Sequence, residues 1–332
     1  MKRTSQADKI IKKRQLWIAR TMEILSVDAA TARQLLSTER QQSLRLNPLT
    51  WGKGIDLQSK GSQIQLPDWI GEQYSWISEG YALNGQVRDI RDDELVASGQ
   101  VFIQNAASWL PVLALDPQKS EIILDICAAP GGKTSHIAAM TDNEAIIWAN
   151  DNSRPRLAKL QANMQRLGVN IAQYTLYDAT QLVRKMPPGQ QFDKILLDAP
   201  CSGEGLMHLD SDKDLATWSV AHIKRLQQLQ KRVIMQAWQL LKPGGTLVYS
   251  TCTMAPEEDE AIIDYLLRSQ IDAKIISLQM DLPNRVPTVT VWNGKQYNPL
   301  VTNCLRLAPS SNIEAFFVAK LEKTSTAHIN ML

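Results

Sequence analysis

The sequence predicts an α/β fold with a doubly wound, mostly parallel sheet, together with a smaller N-terminal α+β module. From about residue 100, short apolar runs alternate with longer stretches of helical periodicity, which is the pattern of successive βαβ units. A glycine-rich turn also joins the first of these runs to a helix, as at the ligand-binding edge of such sheets. Both observations place a binding site at the carboxyl ends of the strands.

Six apolar runs are predicted to form strands of this sheet: residues 121–126, 145–150, 172–177, 192–197, 245–250 and 316–321. A long helix is predicted over residues 216–241, because its apolar side chains recur on one face. The sequence Lys242-Pro243-Gly244-Gly245 is expected to end that helix.

The first 98 residues differ in character and are predicted to form a separate module. Residues 8–45 have helical periodicity, with a second helix beginning between Ser26 and Asp28. Residues 46–98 are rich in glycine and tryptophan and are expected to be a mixed strand-and-turn region. We therefore predict a module over 1–98, the main domain over 99–323 and a tail over 324–332.

Composition indicates an ordinary globular protein. The 332 residues are 44% hydrophobic and 21% charged, with a net charge of +2, so bulk charge does not indicate a nucleic-acid partner. No apolar run is long enough to span a bilayer and no secretory signal is evident, so we expect no membrane partner. Six of the first 14 residues are Lys or Arg, which fits either a solvated terminus or an RNA-contacting arm.

Four cysteines are scattered along the chain: Cys127, Cys201, Cys252 and Cys304. None forms a Cys-x-x-Cys pair or has a histidine at metal-ligand spacing, so no metal site is predicted. Scattered cysteines without a secretory signal fit a reducing compartment, and we expect the protein to be cytoplasmic.

The turn after the first strand reads DICAAPGGKT over residues 125–134. Cys127 stands where a Walker A loop needs its first glycine, and no Gly-x-Gly-x-x-Gly pattern is present, so ATP and NAD are both disfavoured. Asp151 and Asp178 follow the next two strands, where carboxylates can bind the ribose and adenine of an adenosine. The alternative is that either residue caps a helix or a turn.

Two cysteines follow strand ends. Cys201 comes after the fourth predicted strand and Cys252 after the fifth. A lone cysteine is usually a small buried hydrophobe, and we interpret Cys304 and Cys127 in that way, Cys127 as a loop residue whose backbone matters most. Two thiols at neighbouring strand ends are expected to open onto one crevice, together with the ligand held by the first turn.

Together these motifs resemble the Nop/Sun family of RNA cytosine-5 methyltransferases, and most closely its bacterial branch acting on 16S ribosomal RNA. The resemblance covers about residues 99–323, with an echo at 45–49. The matching stretches are GQVFIQNAAS at 99–108, DICAAPGGKT at 125–134, ND at 150–151, DAPCSGEG at 198–205, KPGGTLVYSTCTMAPEEDE at 242–260 and FFVAKL at 316–321. The family usually has glycine where Ala315 precedes the Phe pair, which we expect to affect only a turn.

The resemblance implies a class I methyltransferase with a seven-stranded sheet and S-adenosyl-L-methionine as cofactor. It implies that Cys252 is the nucleophile and that Cys201 assists release of the methylated base. The chemistry of the addition, rather than the resemblance, indicates Asp198 as the acid that shares a proton with the ring and Lys133 as the residue that orients Asp198 or the base. The implied cofactor-binding residues are Cys127, Ala128, Ala129, Pro130, Gly131, Gly132, Lys133, Asp151, Asp178 and Asp198.

Carbon 5 of cytosine is not nucleophilic in the aromatic ring. Addition of a thiolate to carbon 6 gives carbon 5 enamine character, and a second group must then assist release. The implied partner is structured RNA, and ribosomal RNA is favoured over transfer RNA. Larger members of the branch have a further C-terminal RNA-binding domain, which we expect this chain to lack. The rival hypotheses are a transfer RNA methyltransferase, a DNA cytosine methyltransferase with Cys201 as nucleophile, and a non-catalytic ribosome-assembly factor that binds RNA.

Overall fold

The computed structural model describes residues 6–51 and 66–325. Contacts within the chain divide it into two units. Unit 1 comprises Met1–Arg40, Ala199–Met235 and Tyr249–Leu332, and unit 2 comprises Gln41–Asp198 and Gln236–Val248. Each unit therefore takes its residues from separate stretches of the sequence.

The described residues form twelve α-helices: α1 (Gln6–Leu25), α2 (Ala29–Ser37), α3 (Pro48–Trp51), α4 (Val87–Ile90), α5 (Glu94–Ala97), α6 (Leu110–Leu115), α7 (Gly132–Met140), α8 (Arg154–Arg166), α9 (Leu182–Lys185), α10 (Asp212–Thr217), α11 (Val220–Leu240) and α12 (Glu260–Ser269). Four short 3₁₀ helices cover Ala106–Trp109, Ala179–Gln181, Glu204–Leu206 and Pro299–Asn303.

The strands among the described residues are β1 (Ser43–Leu46), β2 (Ile70–Gln73), β3 (Gly80–Leu83), β4 (Val101–Ile103), β5 (Ile122–Asp125), β6 (Ile146–Asn150), β7 (Gln173–Thr175), β8 (Phe192–Asp198), β9 (Leu241–Thr251), β10 (Ala273–Ile276), β11 (Arg285–Val286), β12 (Val291–Trp292), β13 (Lys295–Gln296), β14 (Leu305–Leu307) and β15 (Phe316–Lys323). All six predicted strands are present, as β5 to β9 and β15.

Unit 2 contains the parallel part of the large sheet, in the order β9-β8-β5-β6-β7. Strand β5 pairs in parallel with both β6 and β8, and β6 with β7. Buried Ile, Leu and Ala side chains dominate these strands, as expected where helices cover both faces. Their carboxyl ends carry the first turn, Asp151 and Asp198.

A second, antiparallel sheet in unit 2 has the order β2-β3-β1-β4 and its own apolar cluster. The prediction of helix as far as residue 45 is wrong here, because β1 pairs with strands on both sides and all four of its residues are buried. Asn47 follows β1, and its side-chain amide donates to the carbonyl oxygens of Gly99 (3.0 Å) and Leu167 (2.9 Å).

Unit 1 contains α1, α2, α10 and most of α11, with antiparallel strands in the order β11-β14-β15 and β10 also paired to β15. Its core includes Trp17, Leu36 and Trp218. The predicted helix over 216–241 is two helices, since α10 ends at Thr217 and α11 begins at Val220. The second N-terminal helix begins as predicted, with Asp28 accepting the amide of Thr31.

The large sheet has nine strands against the seven expected. The additional strands are short: β11 has two residues and β14 three, too few to show an alternating pattern in the sequence. The fold is otherwise the predicted one, α/β with a large, mostly parallel sheet. The boundary between residues 98 and 99 stays a prediction. Of the predicted tail, only residues 324 and 325 are among the described residues.

Candidate active site

The turn between β5 and α7 in unit 2 lines a cavity of about 290 Å³. The backbone of Gly131 has a φ of +109°, a conformation that favours glycine, and the Ala129–Pro130 peptide is cis. At Gly132, a Cβ would lie 3.0 Å from the side-chain nitrogen of Gln104 and 3.0 Å from the ring of Phe102. The cavity is lined by Phe102, Ile103, Gln104, Asn105, Ser108, Asp125, Cys127, Ala128, Ala129, Pro130, Gly132, Lys133 and Asp198.

Asp125 is buried beneath this turn, and Thr134 Oγ1 donates a 2.7 Å hydrogen bond to its carboxyl group. The pKa of Asp125 is raised to about 7, chiefly by burial; the Thr134 hydrogen bond opposes this shift, and the nearby Asp198 contributes to it. Burial, with Asp125 and Asp198 nearby, also raises the pKa of Cys127 well above its usual value. Cys127 is therefore a neutral thiol, in keeping with a backbone role in the turn.

Lys133 and Asp198 form an ion pair, with Lys133 Nζ 2.7 Å from Asp198 Oδ2. Lys133 is in the first turn of α7, and Asp198 is the last residue of β8. The side chain of Asp198 keeps 30% of its exposure, so the pair is partly open to solvent. A lysine in this position holds the carboxyl group of Asp198 in one orientation.

The two remaining predicted carboxylates each accept a backbone hydrogen bond two residues ahead. Asp151 accepts from the amide of Ser153 (2.9 Å), and Asp178 from the amide of Thr180 (2.9 Å). Both therefore act as the turn and cap residues that the alternative interpretation proposed. The sequence analysis missed Arg156, which lies 3.1 Å from Asp151 Oδ2 and donates to the carbonyl oxygen of Ala129 at 2.7 Å.

This cavity fits the cofactor that the resemblance implies. The carboxyl group of Asp198 suits a ligand with a sulfonium or an ammonium group, and the N-terminus of α7 suits its carboxylate. The small side chains of Ala128 and Ala129 let a ligand approach the backbone closely. The volume of the cavity is near the lower end of the range for small-molecule sites.

In unit 1 the structure brings Cys201 and Cys252 together, with their sulfur atoms 3.4 Å apart. Neither cysteine is in a disulfide, and both are partly buried. The residues that follow them are also joined, since Ser202 Oγ lies 2.8 Å from Thr253 Oγ1. The predicted contact between the two thiols is therefore present. That both thiols open onto one crevice with the ligand of the first turn stays a prediction.

Two buried glutamates support the cysteine segments, and the sequence analysis gave them no role. Glu204 accepts from the indole of Trp218 (2.7 Å) and from Thr253 Oγ1 (3.2 Å), and burial raises its pKa. Glu258 accepts from the amide of Ser202 at 3.0 Å, and burial raises its pKa to about 7. The sequence indicates a role for these two glutamates only through their position, because each lies within a few residues of a cysteine.

Residues 257–260 form a run of four buried acids, each with its own partners. Arg20 donates two hydrogen bonds to Glu257, at 3.1 and 2.8 Å. Arg306 lies 3.0 Å from Asp259 Oδ2 and donates to Glu260 Oε1 at 2.8 Å. These pairs fix the segment that follows Cys252.

Cys304, Lys13 and Arg14 have structural roles. Burial raises the pKa of Cys304 far above its usual value, as expected for a thiol in a core. Lys13 donates to the carbonyl oxygens of Leu215 (2.9 Å) and Ala216 (2.7 Å), and Arg14 pairs with Asp212 at 2.8 Å. Lys2 and Arg3 of the predicted arm lie outside the described residues.

Ala315 does more than shape a turn, because its side chain is fully buried in the core of unit 1. Within residues 6–51 and 66–325, no helix has the length and apolar character needed to cross a membrane. The same residues contain no group of three or more His, Cys, Asp or Glu side chains arranged to hold a metal ion.

A family model described as 16S rRNA methyltransferase RsmB/F matches residues 112–322. The chain is 37% identical to a tRNA (cytosine(49)-C(5))-methyltransferase of Pyrococcus abyssi, over 85% of this chain and 82% of that protein. It is 35% identical to ribosomal RNA small subunit methyltransferase F of Cronobacter sakazakii, over 86% of this chain and 58% of that one. The chain thus spans little more than half the length of the bacterial relatives it matches.

The fold is also similar to a crystal structure of a methyltransferase homologue from Pyrococcus horikoshii. The TM-score is 0.77 and the sequence identity 30%, over 97% of this chain and 99% of that one. The likeness therefore extends over almost all of both chains.

Proposed function

Because the chain belongs to the family of 16S rRNA methyltransferases RsmB/F, we propose that it methylates carbon 5 of a cytosine in structured RNA through a covalent adduct on Cys252. Enzymes of this family are RNA (cytosine-5) methyltransferases that use S-adenosyl-L-methionine. The family, the enzyme class, the fold and the cofactor predicted from the sequence are therefore confirmed. The observation that carries the proposed mechanism is the 3.4 Å contact between Cys201 and Cys252.

The first step is addition of the Cys252 thiolate to carbon 6 of the base. A proton shared between Asp198 and the ring nitrogen neutralises the charge that the addition brings into the ring. Lys133 keeps the Asp198 carboxyl group oriented through their 2.7 Å contact. Carbon 5 thereby becomes an enamine carbon, which is nucleophilic. S-adenosyl-L-methionine supplies, when bound, an electrophilic methyl group on its sulfonium centre.

Release of the methylated base requires two bonds to break. A base removes the proton from carbon 5, and the electron pair of that C–H bond restores the double bond between carbons 5 and 6. The bond from carbon 6 to sulfur breaks, and its electron pair returns to Cys252 as a thiolate. We assign the proton acceptor to Cys201, because its sulfur touches that of Cys252.

Trapping on RNA with 5-fluorocytosine at the target position tests these roles, since fluorine at carbon 5 blocks the release step. Cys252→Ser is expected to form no covalent adduct. Cys201→Ser is expected to form the adduct and, with ordinary cytosine, to accumulate it. The assignment is overturned when Cys252→Ser still traps the RNA and Cys201→Ser does not, which is the pattern of the DNA cytosine enzymes.

Ribosomal RNA is the proposed substrate class, supported by the family model and by the bacterial relatives. Transfer RNA is the second candidate, because the Pyrococcus abyssi relative named for it matches over most of its length. In either RNA the target base has to leave its stack to reach the site. Bisulfite sequencing of both RNA classes from a deletion strain shows which class loses a methylated cytosine. If every methylated cytosine is still present in that strain, the result favours a non-catalytic RNA-binding role.

We further propose that residues 1–98 engage the RNA and that the reaction takes place in the cytoplasm. Two thiols 3.4 Å apart oxidise readily to a disulfide, so the proposed chemistry needs a reducing compartment. Electrophoretic mobility of RNA with the unaltered protein and with Lys9→Glu and Lys12→Glu, both at exposed positions of α1, tests the first statement. Fractionation of the source cells tests the second.

A further inference from the structure

The two peptide groups that flank Cys201 are both held by a buried pair of side chains, Gln230 and Glu258. Gln230 Nε2 donates to the carbonyl oxygen of Pro200 at 2.9 Å, on the amino side of the cysteine. Glu258 Oε2 accepts from the amide of Ser202 at 3.0 Å, on its carboxyl side. The same amide of Gln230 donates to Glu258 Oε2 at 2.9 Å, so the two side chains form one bracket around Cys201.

This bracket also links the Cys201 segment to the strand that leads to Cys252. Tyr249 Oη donates a 2.6 Å hydrogen bond to the main-chain oxygen of Glu258. Tyr249 is in β9, three residues before Cys252. The position of the Cys201 backbone is therefore fixed relative to the strand that carries the nucleophile.

Holding the bracket together is costly for the fold. Gln230 and Glu258 are both completely buried, and a buried carboxyl group is destabilising unless its hydrogen bonds are satisfied. A pair of apolar side chains would fill the same space without that cost. The observed pair instead directs every one of its named contacts to the backbone beside Cys201 or to each other, which indicates a role in placing this cysteine.

We propose that Gln230 and Glu258 are positioning residues for the release step, holding the Cys201 sulfur against that of Cys252 so that Cys201 can take the proton from carbon 5. The inference rests on the proposed function, in which Cys201 acts in release and Cys252 in addition. It predicts that loss of the bracket slows release of the product while leaving adduct formation nearly unchanged.

The variants are Glu258→Met, which removes the oxygen that accepts from Ser202 and Gln230, and Gln230→Met, which removes both hydrogen bonds of the carboxamide. The matched controls are Glu39→Met and Gln228→Met, which replace exposed residues of unit 1. Single-turnover reactions with ordinary cytosine RNA measure adduct formation and decay separately. Loss of one or two buried hydrogen bonds is expected to slow decay about tenfold.

A purely structural role would not show dependence on Cys201, so both variants are also combined with Cys201→Ser. Once Cys201 is absent, neither variant is expected to slow decay further. The proposal is overturned when the variants slow adduct formation as much as decay, or when they slow decay equally in the Cys201→Ser background.

A second readout needs no RNA. In the Cys252→Ser protein, the alkylation rate of Cys201 is followed by mass spectrometry of its peptide. Each bracket variant is expected to change this rate about tenfold, from the same loss of one or two hydrogen bonds, while the controls leave it unchanged. An unchanged rate overturns the proposal. Absence of any RNA adduct in the wild-type protein would instead contradict the proposed function, so the two failures are distinguishable.

Discussion

The amide of Gly205 donates a 2.9 Å hydrogen bond to the carbonyl oxygen of Cys252, and at this contact the two backbones leave no space for a side chain. A Cβ on Gly205 would lie 2.2 Å from the carbonyl oxygen of Ala315 and 2.8 Å from that of Cys252. Both atoms are backbone atoms, which cannot turn aside as the end of a flexible side chain can. Glycine at this position is therefore a condition for the observed placement of Cys252.

Gly205→Ala is expected to displace the Cys252 segment and to reduce adduct formation by at least tenfold, because a misplaced nucleophile loses its near-attack geometry. The measurement is the rate of trapping on 5-fluorocytosine RNA. Gly203→Ala is the matched control: its φ of +72° is strained for alanine, but a Cβ there meets no atom within 4 Å. Gly205 itself has no positive φ, so a loss in Gly203→Ala as large as that in Gly205→Ala would mean that the close approach at Gly205 is not what sets the rate of adduct formation.

The parts of the site that the sequence predicts are those set by strand ends. Asp198, Cys201 and Cys252 follow apolar runs, and the run itself shows where the strand stops. Neighbouring strands of a doubly wound sheet end at one edge, so position along the chain is enough to predict that Cys201 and Cys252 meet. The contact between the two thiols was predictable for this reason.

Partners that come from distant parts of the sequence were not predictable in this way. Four consecutive acids at 257–260 suggest a solvated surface, yet all four are buried. Three of them pair with Arg20 or Arg306, and Glu258 accepts from Ser202 and Gln230, all of which are distant in the sequence. Strand β1 was mistaken for helix for a similar reason, since the strands that pair with it begin 37 or more residues later.

Arg306 is expected to be essential for stability, because it is the shared partner of Asp259 and Glu260. All three side chains are almost fully buried, and these two acids raise the pKa of Arg306. Arg306→Met leaves two buried acids without their cation, and we expect a loss of about 3–5 kcal/mol in the free energy of unfolding. Urea denaturation measures it.

Lys119→Met is the control for that experiment, since Lys119 pairs with Asp142 and Glu144 at the surface. Exposed pairs contribute at most about 1 kcal/mol. A loss in Arg306→Met no larger than that in Lys119→Met would contradict the role of Arg306 as the cation of a buried network.

Arg156 is expected to affect binding of the cofactor. It joins the carbonyl oxygen of Ala129 in the first turn to the carboxylate of Asp151, at 2.7 and 3.1 Å. Arg156→Met removes both contacts, and we expect the dissociation constant of S-adenosyl-L-methionine to rise about tenfold, by isothermal titration calorimetry. Arg154→Met, at an exposed position of the same helix, is the control. An equal affinity in the two variants would contradict a role for Arg156 in shaping the turn.

The buried Asp125 gives the protein a pH dependence of stability that can be separated from that of other groups. Burial raises its pKa from 3.8 to about 7, so the folded state keeps a proton that the unfolded state loses near pH 4. Between these two values the folded state binds more protons, and the free energy of unfolding falls as the pH rises. The loss is complete once the pH exceeds about 7. A shift of about three pKa units corresponds to a change on the order of 4 kcal/mol.

Asp125→Asn removes this titration while keeping the shape of the side chain. We expect the stability of the wild type relative to Asp125→Asn to decrease as the pH is raised from about 5 to about 8, because only the wild type has to ionise a buried carboxyl group in that window. Urea unfolding at several pH values gives the difference directly, with Glu39→Gln as the exposed control. A difference that stays constant or grows with pH would mean that Asp125 is already ionised in the folded state, with Lys133 rather than a proton balancing its charge.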